Sequence, residues 1–163
     1  MKNIIKNILF LVPMILFGCQ SLGEDLVELP LNPQTISSSS EIQLKKGEKV
    51  TIWTKCNVSF SKPNFKIKYL IEEKGKKIEF DSLIYDVNES YAIINSQASK
   101  EDVVEKNYYD KDTIIHKENF QFELKNKDFF APKDGKYSFD FKLTSETESG
   151  SMFNHDYSIV LRK

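Results

Sequence analysis

The chain carries few side chains with the chemistry of a catalyst. It has two histidines, His116 and His155, and two cysteines, Cys19 and Cys56. A zinc centre needs several His, Cys or carboxylate ligands that converge, and no such cluster stands in the sequence. Asp156 adjoins His155, but neighbours along an extended strand point to opposite faces. No Gly-x-Ser-x-Gly elbow occurs, and no Ser/His/Asp set can be nominated by spacing. A glycine-rich phosphate loop is missing as well. Two oxygen-rich clusters, Asp86-Val87-Asn88-Glu89 and Asp110-Lys111-Asp112, offer the ligands a calcium ion prefers. Neither has the glycine and distal glutamate of an EF-hand loop, so both read as solvated turn carboxylates. The expectation is a protein that is not an enzyme, with no cofactor and no metal.

What remains is recognition. Trp53, Tyr69, Tyr85, Tyr91, Tyr108, Tyr109 and Tyr157 could offer rings for stacking on a sugar. Of these, Trp53, Tyr69 and Tyr85 are the candidate ligand-binding residues. Trp53 falls on the strand face opposite Val50 and Ile52 and is expected to be exposed. Two-sheet cores also consume aromatic side chains, so a core role competes with a binding one.

The elements that must position these rings are strands. Glu41-Ile42-Gln43-Leu44-Lys45 alternates apolar and polar, and Lys46-Gly47-Glu48 reads as a turn. Val50, Ile52, Thr54 and Cys56 line one face of the next run, with Thr51, Trp53 and Lys55 on the other. Phe65, Ile67, Tyr69 and Ile71 alternate with Lys66, Lys68 and Glu72, the pattern of a half-buried strand. Glu73-Lys74-Gly75-Lys76 is a hairpin turn with glycine available for positive φ. Lys66 and Lys68 read as edge protection. Ser99 to Tyr108 breaks the pattern: Ser99-Lys100-Glu101-Asp102 can cap a helix, and a short helix or irregular loop is expected there. Alternation returns at Phe120, Phe122 and Leu124. Pro132-Lys133-Asp134-Gly135 is a turn, Tyr137, Phe139, Phe141 and Leu143 form another strand, and residues 157–162 the last. Eight to ten short strands without strand–helix alternation predict an all-β, antiparallel β-sandwich, of jelly-roll or immunoglobulin-like type, over residues 41–163.

Composition agrees. The chain has 163 residues, 40% of them hydrophobic and 12% aromatic. That excludes a disordered chain. With 23 Lys+Arg against 24 Asp+Glu the net charge is -1, too balanced for a dedicated nucleic-acid binder.

The N-terminus carries an address. Lys2 and Lys6 precede an apolar run from Ile8 to Phe17, too short to span a bilayer, which ends in Leu16-Phe17-Gly18-Cys19. This resembles the lipobox of bacterial lipoproteins. The resemblance implies cleavage after residue 18, a lipid on Cys19 that includes a fatty acyl group such as palmitate, and a membrane partner. Residues 1–18 are then a signal peptide, and the mature chain loses two lysines and no acid. Cys56 is left as a lone cysteine, expected to be a buried small hydrophobe. Residues 20–40 hold Pro30, Pro33 and four consecutive serines and read as a flexible tether. Gln20 follows the cysteine in place of an inner-membrane retention aspartate, which favours the outer membrane.

Two further patterns bear on the body. The first is Leu44-Lys45-Lys46-Gly47 with Phe65-Lys66-Ile67. The second runs Phe122-Glu123-Leu124, Phe129-Phe130-Ala131-Pro132 and then Asp134-Gly135-Lys136-Tyr137-Ser138-Phe139-Asp140-Phe141. Together they resemble GOLD-type β-sandwich domains, with an insertion near residues 82–118. The resemblance implies a binding module without catalytic residues. The functional expectation is a lipid-anchored envelope protein that binds a protein or glycan partner, or an accessory subunit of an envelope complex.

Overall fold

The computed structural model describes residues 23–59, 65–85, 90–106, 109, 111–144 and 155–163. They form two antiparallel sheets packed face to face. The first sheet runs in the order β1 (Asp25–Pro30), β10 (His155–Arg162), β4 (Lys49–Ser59), β8 (Asp112–Phe130) and β7 (Ile93–Lys106). The second runs β2 (Ser37–Ser38), β9 (Gly135–Leu143), β5 (Lys66–Glu73) and β6 (Lys76–Ile84), and β3 (Ile42–Leu44) also pairs with β9. The expected all-β sandwich is the fold.

Alternation builds the core. Ile67, Tyr69 and Ile71 of β5 and Tyr137, Phe139, Phe141 and Leu143 of β9 point inward and are buried. Val50, Ile52, Cys56 and Val58 of β4 meet them from the other sheet, with Ile159 and Leu161 of β10. Phe129 of β8 packs edge-on against Tyr137 and Phe139, with ring centroids 5.5 and 5.6 Å apart. Each buried side chain of this size contributes about 1.5–3 kcal/mol relative to exposure. The β5–β6 turn uses Gly75 at φ +72°, as its sequence requires. A bulge at Asn126 changes the phase of β8: Phe122 and Leu124 face inward before it, Lys127 and Phe129 after it. The Asn126 amide donates to the buried Thr54 hydroxyl at 2.7 Å.

Cys56 lies in this core, and burial pushes its thiol up to about 12. At neutral pH the thiolate, the reactive form, is then nearly absent. Maleimide is expected to leave Cys56 unlabelled in the folded protein and to label it fully in denaturant, read by intact mass.

Three expectations need correction. The tether ends sooner than residue 40. Asp25–Pro30 forms β1 along β10, and Ser158 donates to Glu28 at 2.8 Å. Ser37 and Ser38 pair with β9. An acidic, proline-bearing stretch became strand because a partner 130 residues away supplies its hydrogen bonds. Of the helix or loop expected over 99–108, residues 99–106 are the far half of β7, paired residue for residue with β8, and residues 107 and 108 lie outside the described residues. Its polar sequence hid a strand whose faces both meet water. Lys66 and Lys68 are not on an edge, since β5 lies between β9 and β6; they project from the outer face of the second sheet.

Candidate functional site

The three nominated aromatics do not share a face. Trp53 does point outward from the first sheet, yet it is only 5% exposed. The guanidinium of Arg162, on neighbouring β10, lies over its ring at 5.2 Å from the centroid. Arg162 is itself buried and is held from both sides: Nε donates to Asp25 of β1, and Nη2 sits 2.7 Å from Oε2 of Glu123 on β8. The second oxygen of Glu123 accepts from the Asn95 amide at 2.8 Å. Asn95 adopts φ +53° in a bulge of β7, which places its side chain there. Four strands thus converge on one charged network, buried at Arg162 and Glu123, that roofs Trp53. Burial opposes ionisation of Arg162, but the facing carboxylates of Asp25 and Glu123 hold its pKa above the ordinary value. The nominated tryptophan is covered by protein and presents no open ring face.

Tyr69 and Tyr85 lie elsewhere, Tyr69 between β6 and β8 and Tyr85 just past the end of β6. Tyr69 is buried by its ring, and its hydroxyl reaches both strands. It donates to Glu79 of β6 at 2.6 Å and accepts from Lys127 of β8 at the same distance. Lys127 also ion-pairs with Glu79, clamping the sheets together. Burial would raise the Glu79 carboxyl, but the Lys127 ammonium and Tyr69 hydroxyl hold it below its ordinary 4.5. Burial and the Glu79 hydrogen bond push Tyr69 up. Beside this clamp is a cleft of about 310 Å³ lined by Tyr69, Asp81, Ser82, Tyr91, Asn126 and Lys127, among others. Tyr85 packs on Phe65 and stacks on Tyr91 with centroids 5.3 Å apart.

A carboxylate depressed by folding adds stability above its unfolded pKa and loses it as pH falls through the folded value. Lys127→Met is therefore expected to destabilise the protein by about 1–2 kcal/mol at pH 7, discounted for partial exposure. The deficit should shrink once the pH falls below 4.5, the ordinary value of Glu79. Urea unfolding across pH reads it directly.

A second depression, of about 350 Å³, on the outer face of the first sheet is lined by Glu28, Lys55, Asn57, Gln121, Asp156 and Ser158, among others. Lys55 donates to Glu28 at 3.0 Å and Ser158 donates to it at 2.8 Å. Its central carboxylate is thereby satisfied within the protein. Among the described residues no three His, Cys, Asp or Glu side chains could hold a metal ion. Residues 86–89 and Asp110, the calcium candidates, lie outside the described residues apart from Asp112, as does Cys19.

The feature that sequence reasoning missed is the β7–β8 ribbon. β4 pairs with β8 only from Phe130 to Asn119. Beyond that point residues 112–118 have β7 as their one strand neighbour among the described residues, over about 23 Å at 3.3 Å per residue. Every side chain described between 97 and 106 is exposed. Val104 stands opposite Ile114, and they are 62% and 61% exposed. Tyr109, near the tip, is 77% exposed. The register places Val104 and Ile114 on the face of β8 that carries Phe120 and Phe122 into the sandwich. Out on the ribbon no strand of the second sheet among the described residues pairs or packs across from that face. The available signal was Val103-Val104 and Ile114-Ile115, two apolar pairs on either side of a polar turn.

Free strand edges invite pairing. On β6, Glu79 and Asp81 take the inward positions, opposite Ile71 and Tyr69, and inward charge guards an edge against added strands. No family model matches this chain, and no curated protein or solved structure matches it.

Proposed function

We propose that this chain is a lipid-anchored protein of the bacterial cell envelope, held at the outer membrane through Cys19, whose non-catalytic β-sandwich presents the β7–β8 ribbon to a protein partner. The observation that carries the reading is the uncovered apolar pair Val104 and Ile114 with Tyr109 beyond it. A two-stranded ribbon alone is marginally stable in water. Apolar groups displayed at its end mark an interaction site better than a scattered surface residue does. Aromatic and apolar side chains at the centre of a contact carry most of its energy. The same geometry suits an accessory subunit that docks into a larger envelope complex. Lipid on Cys19 would supply the anchor, since several acyl chains hold a protein stably where one does not.

A glycan reading is favoured by one observation, the cleft that sets Tyr91 beside Asp81, Ser82 and Asn126. The polar atoms of Tyr69, Glu79 and Lys127 there already satisfy one another, so the ribbon is the stronger site.

The experiment is a photo-crosslinking residue placed at Tyr109, at Val104 or, as a control, at Lys142, in cells producing the full chain. A discrete crosslinked protein from the two ribbon positions and none from Lys142 supports the reading. Crosslinks at Lys142 alone, or at none of the three, would sink it. Protease treatment of intact cells, beside a Cys19→Ala chain, tests the anchor. Release of that variant to the soluble fraction is expected.

A further inference from the structure

We infer that the end of the sandwich next to the anchor is a basic surface that rests on anionic phospholipid headgroups, so that the domain stands end-on with its ribbon pointing away from the bilayer. The orientation rests on the anchored reading; the headgroup contact does not.

The chain leaves little slack after Cys19. Gly23 is four residues on, and Glu24 already exchanges two backbone hydrogen bonds with Lys163, at 2.8 and 2.9 Å. Gly23 takes φ +93°, and a Cβ there would lie 2.7 Å from the Lys163 carbonyl oxygen. The backbone is therefore pinned against the C-terminal strand at this point. A fully extended stretch of four residues reaches about 14 Å. A lipid on Cys19 would keep this end of the domain at the membrane surface.

Direct contacts place three turns at the same end. Lys163 donates to Glu48 in the β3–β4 turn at 3.0 Å. The Lys46 backbone N–H donates to Asp134 in the β8–β9 turn at 2.7 Å. Lys133 of that turn ion-pairs with Glu73, beside the β5–β6 turn, at 2.9 Å. Residues 45–49, 73–77 and 130–136 together hold eight lysines against three acids, in a chain whose net charge is -1. Lys133 has Glu73, Lys136 has Glu41, and Lys49 lies 4.0 Å from Asp128. Lys45, Lys46, Lys74, Lys76 and Lys77 are exposed; Lys45 lies near Glu48, Lys74 and Lys76 near Glu73, and Lys77 opposite Glu72, so the lysines outnumber the carboxylates they share. Phe130 is 59% exposed beside Lys49. Lysines clustered next to a membrane anchor are drawn to anionic lipid, and an aromatic among them suits the headgroup boundary. The ribbon leaves from the opposite end. From Asp128, opposite Thr51 near the pinned terminus, to Asp112 the strand runs about 53 Å.

The test uses the processed full chain reconstituted in phosphatidylcholine vesicles, with or without about 30% phosphatidylglycerol. The mass of the N-terminal peptide is read first. An unmodified Cys19 would overturn the anchored reading alone, and headgroup contact is then read by sedimentation with the same vesicles, which needs no anchor. In F130W, the fluorescence added to that of Trp53 is read against brominated lipid. Quenching is expected with phosphatidylglycerol. It should fall at least twofold in phosphatidylcholine alone, in about 0.5 M salt, and in K45Q/K46Q/K76Q/K77Q. The glutamine set removes charge without adding bulk, and its melting temperature confirms folding. Equal quenching in both lipids, none in either, or quenching indifferent to the four lysines would overturn the inference.

Discussion

Arg162→Ala is expected to lower the unfolding free energy by about 3–5 kcal/mol, among the largest effects of any single substitution in this chain. Arg162 and Glu123 are both buried charges, 2.7 Å apart at their nearest atoms. Removing the guanidinium leaves Glu123 in the same low-dielectric place with only the Asn95 amide to stabilise it. It also opens the face of Trp53 to water. Two readouts separate these effects. Urea unfolding gives the stability change, and Trp53, the single tryptophan of the chain, should shift its emission to the red. Removing both charges at once, as Arg162→Met with Glu123→Leu, should restore most of the loss, because well-packed apolar groups often replace a buried ion pair at little cost. A double variant as unstable as Arg162→Ala would show that the network matters for packing rather than for charge.

The second large effect is functional. V104D/I114K is expected to abolish ribbon-dependent capture, by at least about thirtyfold, since loss of an apolar anchor is worth about 2 kcal/mol or more. Val104 and Ile114 face each other across the ribbon, so the new Asp and Lys form an attractive cross-strand pair. Both positions are exposed, and exposed substitutions of this kind stay within about 0.5 kcal/mol. The melting temperature should therefore hold while crosslinking at Tyr109 disappears. Capture that persists in this variant would move the site elsewhere, first to the cleft beside Tyr91.

The strands that face the core were legible in the sequence. β5 and β9 could be read because a half-buried strand must alternate, and alternation is a local property of Phe65, Ile67, Tyr69 and Ile71 or of Tyr137, Phe139 and Phe141. The turns at Gly47, Gly75 and residues 132–135 were equally local. The far half of β7 could not be read in this way, since a ribbon wet on both faces has no reason to alternate. Of the binding nominees, Tyr69 lines the cleft, Tyr85 stacks on Tyr91 beside it, and Trp53 lies under Arg162; such placements depend on contacts between distant strands.

The sequence by itself determined the class of fold and the burial of Cys56, both of which follow from residue type and short-range pattern. Only the tertiary structure decided what surrounds those residues. Trp53 is covered by Arg162, 109 positions away, and β1 exists because β10 pairs with it. The basic turns form one surface only after the sheets bring residues 45–49, 73–77 and 130–136 to the same end. Such contacts join positions far apart in the chain, and no local periodicity records them.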